Sequence, residues 1–242
     1  MAEIAITGGI GSGKTTAAKL IVNRGAVLVD ADQIVKDLQR PGGKVFDKIV
    51  EIYGNEILLG DGELDRQKIA EIVFNDEREL STLNDIVHPA VGEEMGIRRK
   101  EAIKQGNVVL VDIPLMVTPE GKLGREEYKL FDGIIVVDCK IETAVSRLVQ
   151  QRGFDEKDAR ARIAKQATPK QRREFADFLI DNNGPEENLS KQIEKCWEWV
   201  HSLSAKNETC KLPTWLIGQM VSHSKWFLIL SQLEISQMQF RI

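Results

Sequence analysis

Five short runs of apolar residues punctuate the chain: Ile4-Ala5-Ile6, Ala26-Val27-Leu28-Val29-Asp30, Val108-Val109-Leu110-Val111-Asp112, Ile134-Ile135-Val136-Val137-Asp138 and the weaker Phe178-Leu179-Ile180-Asp181. Continuous apolar runs of this length, without strict alternation, predict strands buried on both faces, as in a parallel sheet. Between the first two lies a helical stretch, Thr15 to Asn23, stopped by Gly25 at a position suited to a left-handed residue. Strand, helix and strand predict a right-handed parallel βαβ start. From Asp32 the period turns helical until Pro41-Gly42-Gly43 breaks it. Helices are then predicted over Lys44 to Tyr53, Asp65 to Phe74 with Asp65 as N-cap, Asp76 to Val87 and Pro89 to Gln105, with a turn at Gly60-Asp61-Gly62. No strand interrupts these roughly seventy residues, too many for a simple crossover, so a helical insertion is expected beside the sheet. Ile141 to Gln151 reads as a helix. Arg152 to Lys170 is crowded with basic residues and shows no clear apolar face, and a last helix runs from about Pro185 to Leu203.

At 242 residues and 42% hydrophobic, the chain can bury a full core. Its three cysteines, Cys139, Cys196 and Cys210, are too few and too scattered for a disulfide framework or a zinc site. No basic leader followed by an apolar stretch precedes the first strand, so a reducing, cytoplasmic setting is expected. A net charge of −4 argues against general attraction to nucleic acid. After about Ser204 the character changes. Trp215-Leu216-Ile217 and Trp226 to Leu230 are separated by Ser222-His223-Ser224-Lys225, so no apolar run is long enough for a membrane span. A helix on the body, a contact surface and a tail foreign to the fold all remain open for that stretch.

The candidate chemistry begins at Gly8-Gly9-Ile10-Gly11-Ser12-Gly13-Lys14-Thr15, followed by Thr16. It fits G-x-x-x-x-G-K-[ST] and lies between a predicted strand and a predicted helix, the context in which that pattern cradles a polyphosphate. Gly9, Gly11 and Gly13 let amides turn inward with no Cβ in the way, and the helix start adds aligned N–H groups. Lys14 is suited to the β- and γ-phosphates of ATP, and the Thr15 hydroxyl to the Mg2+ that bridges them. The dinucleotide pattern G-x-G-x-x-G fails, because Thr16 stands where its last glycine belongs.

Ligands of open parallel sheets sit outside the carboxyl ends of the strands, which singles out Asp30, Asp32 and Asp112. Transfer to an alcohol needs a carboxylate that holds and deprotonates the nucleophile. For Asp32 the sequence leaves two roles, that base or the N-cap of the following helix. For Asp112 it leaves ligation of a metal-bound water or a strand-end structural part. Arg147, Arg152, Arg160, Arg162, Arg172 and Arg173 form a basic cluster. One role is a flap that closes over ATP and excludes water; the other is a solvated hairpin paired with Asp155, Glu156 and Asp158. His88 is a lone histidine, open to a structural or a catalytic role.

These features together resemble the dephospho-CoA kinase family. The resemblance is carried by Thr7 to Thr15, Asp30-Ala31-Asp32, Leu64-Asp65-Arg66, Leu83-Asn84 with His88-Pro89, Asp112-Ile113-Pro114-Leu115, Arg147 with Arg152, Gln166, and Ala176-Asp177 with Ile180 to Gly184. It implies an α/β fold of the P-loop NTPase kind, in three layers, with a five-stranded parallel sheet, a helical substrate-domain insertion and a lid. The core would comprise residues 1–35, 105–146 and 170–205, the acceptor domain 36–104 and the lid 147–169, with 206–242 an extension of unassigned role. It implies phosphorylation of the ribose 3′-hydroxyl of dephospho-CoA by ATP with magnesium. Asp32 would be the base, Lys14 and Thr15 would hold phosphates and metal with Gly9, Gly11, Ser12, Gly13 and Thr16, and Arg147 and Arg152 would act from the lid. Arg66, His88, Asp112, Pro114 and Leu115 would meet the acceptor, and Asn182 to Gly184 would lie near the adenine. The family pattern continues after Leu115 with another Leu, an aromatic residue and Glu, whereas Met116-Val117-Thr118-Pro119-Glu120 follows here.

Three other readings compete for the same residues. Another small-molecule or nucleoside monophosphate kinase would share core and lid. A GTP-hydrolysing switch would need an N-K-x-D motif, which the sequence lacks. A binding module without activity leaves Lys14, Thr15, Asp32 and the arginines unexplained together. Oligomeric state is not legible in the sequence.

Overall fold

The computed structural model describes residues 1–209. The expectations for Pro213 to Ile235, and for the extension beyond Thr209, lie outside the described residues. In chain order the elements are β1 (Glu3–Gly8), α1 (Lys14–Val22), β2 (Val27–Asp30), α2 (Ala31–Leu38), α3 (Lys44–Tyr53), α4 (Arg66–Asn75), α5 (Glu77–Lys104), β3 (Val109–Asp112), β4 (Gly133–Asp138), α6 (Ile141–Arg152), α7 (Glu156–Ala164), α8 (Pro169–Arg173), β5 (Phe178–Asp181) and α9 (Glu186–Thr209). The described residues divide into two compact units, 1–29 with 99–209, and 30–98.

In the first unit the sheet has the order β2-β3-β1-β4-β5. Strand β1 pairs in parallel with β3, placing Ile6 level with Asp112, and with β4, placing Gly8 level with Val137. Strand β5 extends β4 with Asp181 beside Asp138. The loop leaving β1 therefore rises from the centre of the carboxyl edge, as an open parallel sheet requires of a ligand site.

The pleat sorts the apolar runs onto two faces. Ile4, Ile6, Leu110, Ile135, Val137 and Ile180 face Ala17, Ala18 and Ile21 of α1 and Leu189, Ile193, Cys196 and Val200 of α9. Ala5, Ile134 and Val136 face Met116 and Tyr128 on the other side. The departure from the family pattern after Leu115 thus puts a fully buried Met116 into the core. The loop then folds into a small antiparallel bridge between Val117 and Leu123.

The second unit is helical. Asp65 caps α4 by accepting the Lys68 amide at 3.1 Å, as the sequence predicts. The Gly60-Asp61-Gly62 turn brings Leu58 against Leu64 in an antiparallel bridge, with Asp61 accepting the Glu63 amide. Ile34, Val45, Ile49, Ile57, Ile69 and Leu83 are among its buried side chains. Arg98 joins Glu94 at 2.8 Å and Asp37 at 3.1 Å, stapling the end of this unit's share of α5 to α2.

Two expectations change, and the capping alternative for Asp32 falls. The helices foreseen over Asp76–Val87 and Pro89–Gln105 are one helix, α5, with Pro89 inside it. A proline removes one intrahelical hydrogen bond and opposes the carbonyl four residues back. Here Asp85 and Pro89 both lie on the exposed face, while Leu83, Val87, Val91 and Met95 stay buried at constant spacing across the break. Packing of an uninterrupted apolar stripe outweighs the local loss. The N-cap of α2 is Asp30, not Asp32: the Asp30 carboxylate accepts the amides of Asp32 at 2.9 Å and Gln33 at 3.2 Å. Helix α9 continues past Leu203 to Thr209, since neither proline nor glycine intervenes before Pro213.

Cys196 in α9 is fully buried, and burial pushes its thiol from an ordinary 9.0 up to about 12. The thiolate is thus disfavoured in the folded state alone, so the stabilisation it reflects is complete below pH 9 and is lost as pH rises toward about 12. Thermal melts of wild type and Cys196→Ala across that interval should show the wild-type advantage widest at neutral pH and shrinking on the alkaline side. A gap that stays constant with pH would contradict this assignment.

Candidate active site

The loop after β1 owes its shape to three glycines. A Cβ on Gly8 would lie 2.6 Å from the Val137 carbonyl oxygen, so only glycine lets the strand end run this close to β4. Gly11 and Gly13 hold φ at 77° and 86°, in the left-handed region. A Cβ on Gly11 would lie 2.8 Å from the Ala144 carbonyl oxygen, and one on Gly13 would run into the Asn182 amide. Inside the loop the Ser12 amide donates to the Gly9 carbonyl at 3.0 Å. Helix α1 then begins at Lys14, with no side-chain cap on its amides and no acidic residue in its first turn. An uncapped helix start behind a glycine cradle suits an anion.

The loop carbonyls are satisfied from outside. Asn182 donates its side-chain amide to the Ser12 carbonyl at 2.8 Å, and is itself fixed by its backbone N–H on the Asp138 carbonyl at 2.8 Å. Arg147 reaches the Ser12 and Gly11 carbonyls at 3.3 and 3.5 Å and the Asn182 carbonyl at 2.8 Å. The Cys139 thiol lies 3.8 Å from the Gly11 carbonyl.

Lys14 donates its ammonium to both carboxylate oxygens of Asp112, the last residue of β3. Both side chains are largely buried, at 14% and 8% exposure. Neither role considered for Asp112 from sequence contained this one: it aims the lysine. Thr15 and Thr16 sit exposed in the first turn of α1. The Thr15 hydroxyl is an oxygen donor of the kind a hard divalent cation prefers, and the uncapped amides at the start of α1 beside the Lys14 ammonium suit a polyphosphate, so the residues present fit ATP with Mg2+.

The arginines foreseen as one cluster are spread over different tasks. Arg147 braces the loop. Arg160 pairs with both Glu142 oxygens, at 2.9 and 2.7 Å, and with Glu156 at 2.9 Å. Arg162 lies over the Phe154 ring at 5.1 Å. Arg173 grips the buried Asp138 at 2.5 Å, and Arg172, only 8% exposed, donates to the Ala167 carbonyl with its guanidinium over Gly9. Burial lowers the Arg172 pKa, and Asp138, 3.9 Å away, works against that. Arg152 ends α6 exposed to solvent, and Gly184 is likewise exposed.

Pro114 and Leu115 follow Asp112, both partly buried. In the second unit Asp32 stands in the first turn of α2, Arg66 opens α4 on its exposed face, and His88 is 1% exposed in α5, one turn after the buried Asn84. Sequence reasoning assigned no role to Asp138, and it saw Arg172 and Arg173 only as members of the basic cluster and Asn183 only as part of the stretch near the adenine. Asp138 ends a strand just as Asp112 does, which was the available signal. Asn183 accepts the Lys140 amide at 2.7 Å at the start of α6, a partner no spacing rule reveals.

A model of the dephospho-CoA kinase family matches residues 2–188. The chain belongs to that family. A dephospho-CoA kinase of Thermobifida fusca is 42% identical over 198 residues, which cover 82% of this chain and 96% of that protein. One from Corynebacterium glutamicum is 42% identical over 196 residues, covering 81% and 95%. Among solved structures, TT1252 from Thermus thermophilus superposes with a TM-score of 0.60 at 27% identity, covering 81% of this chain and 95% of its own. A dephospho-CoA kinase from Campylobacter jejuni, at 22% identity, shares the fold with a TM-score of 0.59 over 82% and 97%. The fold is the P-loop NTPase fold with a five-stranded parallel sheet, as the sequence led us to expect.

Gly13→Ala should cost about 1–3 kcal/mol of stability through its positive φ, and weaken ATP binding by displacing Asn182. Gly153→Ala is the control: its φ is also positive, at 68°, but a Cβ there meets nothing within 4 Å. Melts and calorimetric titration with ATP should show destabilisation in both variants and weakened binding in Gly13→Ala alone. Equal ATP affinity in the two would remove the functional reading of the Gly13–Asn182 contact.

Proposed function

We propose that this chain transfers the γ-phosphoryl group of ATP to the ribose 3′-hydroxyl of dephospho-CoA, giving coenzyme A and ADP, the last step of CoA biosynthesis, and that it does so in the cytoplasm. The observation that carries the reading is a phosphate loop whose lysine is held by the acid that closes the neighbouring strand, in a chain of the dephospho-CoA kinase family.

An ammonium has three donors, so Asp112 can keep Lys14 in register while N–H remains for the β- and γ-phosphate oxygens. Charge accumulating on the transferring group is met by Lys14, by the amides of Gly11 to Thr16 and by arginines of the lid, for which we propose Arg147 and Arg152 within residues 147–169. Thr15 would hold Mg2+, which when bound supplies charge neutralisation between the β- and γ-phosphates. Asp32 is proposed as the base that orients and deprotonates the 3′-hydroxyl. Support comes from the helix cap: because Asp30 takes the amides at the start of α2, the capping task does not fall to Asp32. Arg66, His88, Asp112, Pro114 and Leu115 are proposed to meet the acceptor, the first two from an acceptor domain over residues 36–104. Asn182 and Gly184 are proposed to border the adenine.

The direct test is a coupled ADP-release assay with dephospho-CoA, run beside an acceptor-free control and beside AMP, dTMP and shikimate. Release that depends on dephospho-CoA alone is expected, and equal rates with another acceptor would overturn the proposal. Asp32→Ala should lower kcat by roughly 10²–10⁴-fold, as for loss of a general base, with ATP affinity retained. Lys14→Ala should impair both affinity and rate. Turnover of Asp32→Ala at the wild-type rate would move the base elsewhere.

A further inference from the structure

Ile10 occupies a variable position of the phosphate-loop motif, where the pattern itself demands no particular side chain. The structure makes double use of it. Its side chain packs with Phe154 and Ile163 against the buried cluster of Val145, Leu148 and Ala159, the apolar seam between α6 and α7. Its backbone N–H donates at 2.9 Å to the side-chain carbonyl oxygen of Gln166, in the turn that follows α7. Gln166 is itself fixed, since its backbone N–H donates to the Ile163 carbonyl at 3.1 Å and the next residue, Ala167, is buried and accepts from Arg172 with its carbonyl. The Arg172 guanidinium then lies over Gly9, where a Cβ would come within 2.5 Å of it. The tip of the loop is thus held by side chain and backbone to one helical hairpin.

We infer that Ile10 and Gln166 form a two-point attachment of the phosphate loop to the α6–α7 hairpin, and that Gln166 is a positioning residue for ATP acting through the Ile10 amide. This rests on the reading of the loop as an ATP site. A loop of glycines has many accessible conformations, and its amides converge on phosphate only if the tip is pinned from behind. The apolar contact sets where the tip lies. The hydrogen bond sets how the Ile10 peptide plane is turned, and with it the direction of the amides that follow.

Gln166→Met keeps the side-chain length and gives up the amide oxygen, and Ile10→Ala removes the apolar anchor. For both we expect ATP affinity, measured calorimetrically, to fall, in Gln166→Met by roughly fivefold, the size of one lost hydrogen bond. The KM for ATP should rise in step while that for dephospho-CoA stays within about twofold, a split that general destabilisation does not produce. Wild-type ATP affinity in Gln166→Met, or equal shifts in both KM values, would overturn the inference. Should the wild type bind ATP yet leave dephospho-CoA unphosphorylated, the proposed acceptor would fall, while weakened ATP binding in Gln166→Met would still uphold the attachment.

Discussion

A peptide loop that turns its N–H groups inward must send its carbonyls outward, and each of those carbonyls needs a donor. Leaving a buried one unpaired costs about 1–3 kcal/mol, as much as the net gain of one or two good hydrogen bonds. The donors for the Ser12 and Gly11 carbonyls come from Arg147 in α6, Cys139 after β4 and Asn182 after β5. Two of the five strands, β4 and β5, and the helix α6 after the first of them therefore serve to keep an eight-residue motif in shape. Asn182 stands where it does because β5 lies beside β4, so that its amide can take the Asp138 carbonyl. The register of the outer strands is in this sense part of the nucleotide site.

Charge near the loop follows a parallel logic. Asp112 and Asp138 end neighbouring positions on either side of β1, are 8% and 2% exposed, and are both met by cations, Lys14 in one case and Arg173 with the more distant Arg172 in the other. Buried ion pairs of this kind add little net stability, because desolvation consumes most of the Coulombic gain. What they supply is position. A lysine on a four-carbon stem has many rotamers, and a carboxylate at a rigid strand end selects one of them before any ligand arrives. Arg172 does the same for Gly9 by filling the volume a side chain would have taken.

The sheet and the loop were legible because buried parallel strands write themselves as unbroken apolar runs, and because glycine spacing constrains a phosphate cradle more tightly than most motifs constrain anything. What was not legible came from tertiary packing. Pro89 looks like a helix stop to any local rule, yet the stripe from Leu83 to Met95 holds α5 together across it. Arg152 to Lys170 reads as featureless because its larger apolar residues, Phe154 and Ile163, are few, and the cluster they complete includes Val145 and Leu148 of α6 and Ile10 of the loop. A cluster of arginines counted along the chain dissolved into separate assignments, since nearness in sequence says nothing about which carboxylate each one meets. Asp112 was identified as important but for incomplete reasons, because its lysine partner is 98 residues away.

The acidic triplet Asp30-Ala31-Asp32 shows how two identical side chains acquire different tasks from position alone. A cap residue must stand outside the helix with extended backbone, so that its carboxylate can fold back onto the first amides; Asp30 does so at φ −113°, ψ 115°. A residue two places later is already helical, and the amides of Asp32 and Gln33 are taken by Asp30. Had the helix begun later, Asp32 would have been the cap, and a carboxylate committed to backbone N–H groups makes a poor proton acceptor. The start of α2, decided by an end-of-strand aspartate and one alanine, therefore decides which of the two acids caps the helix.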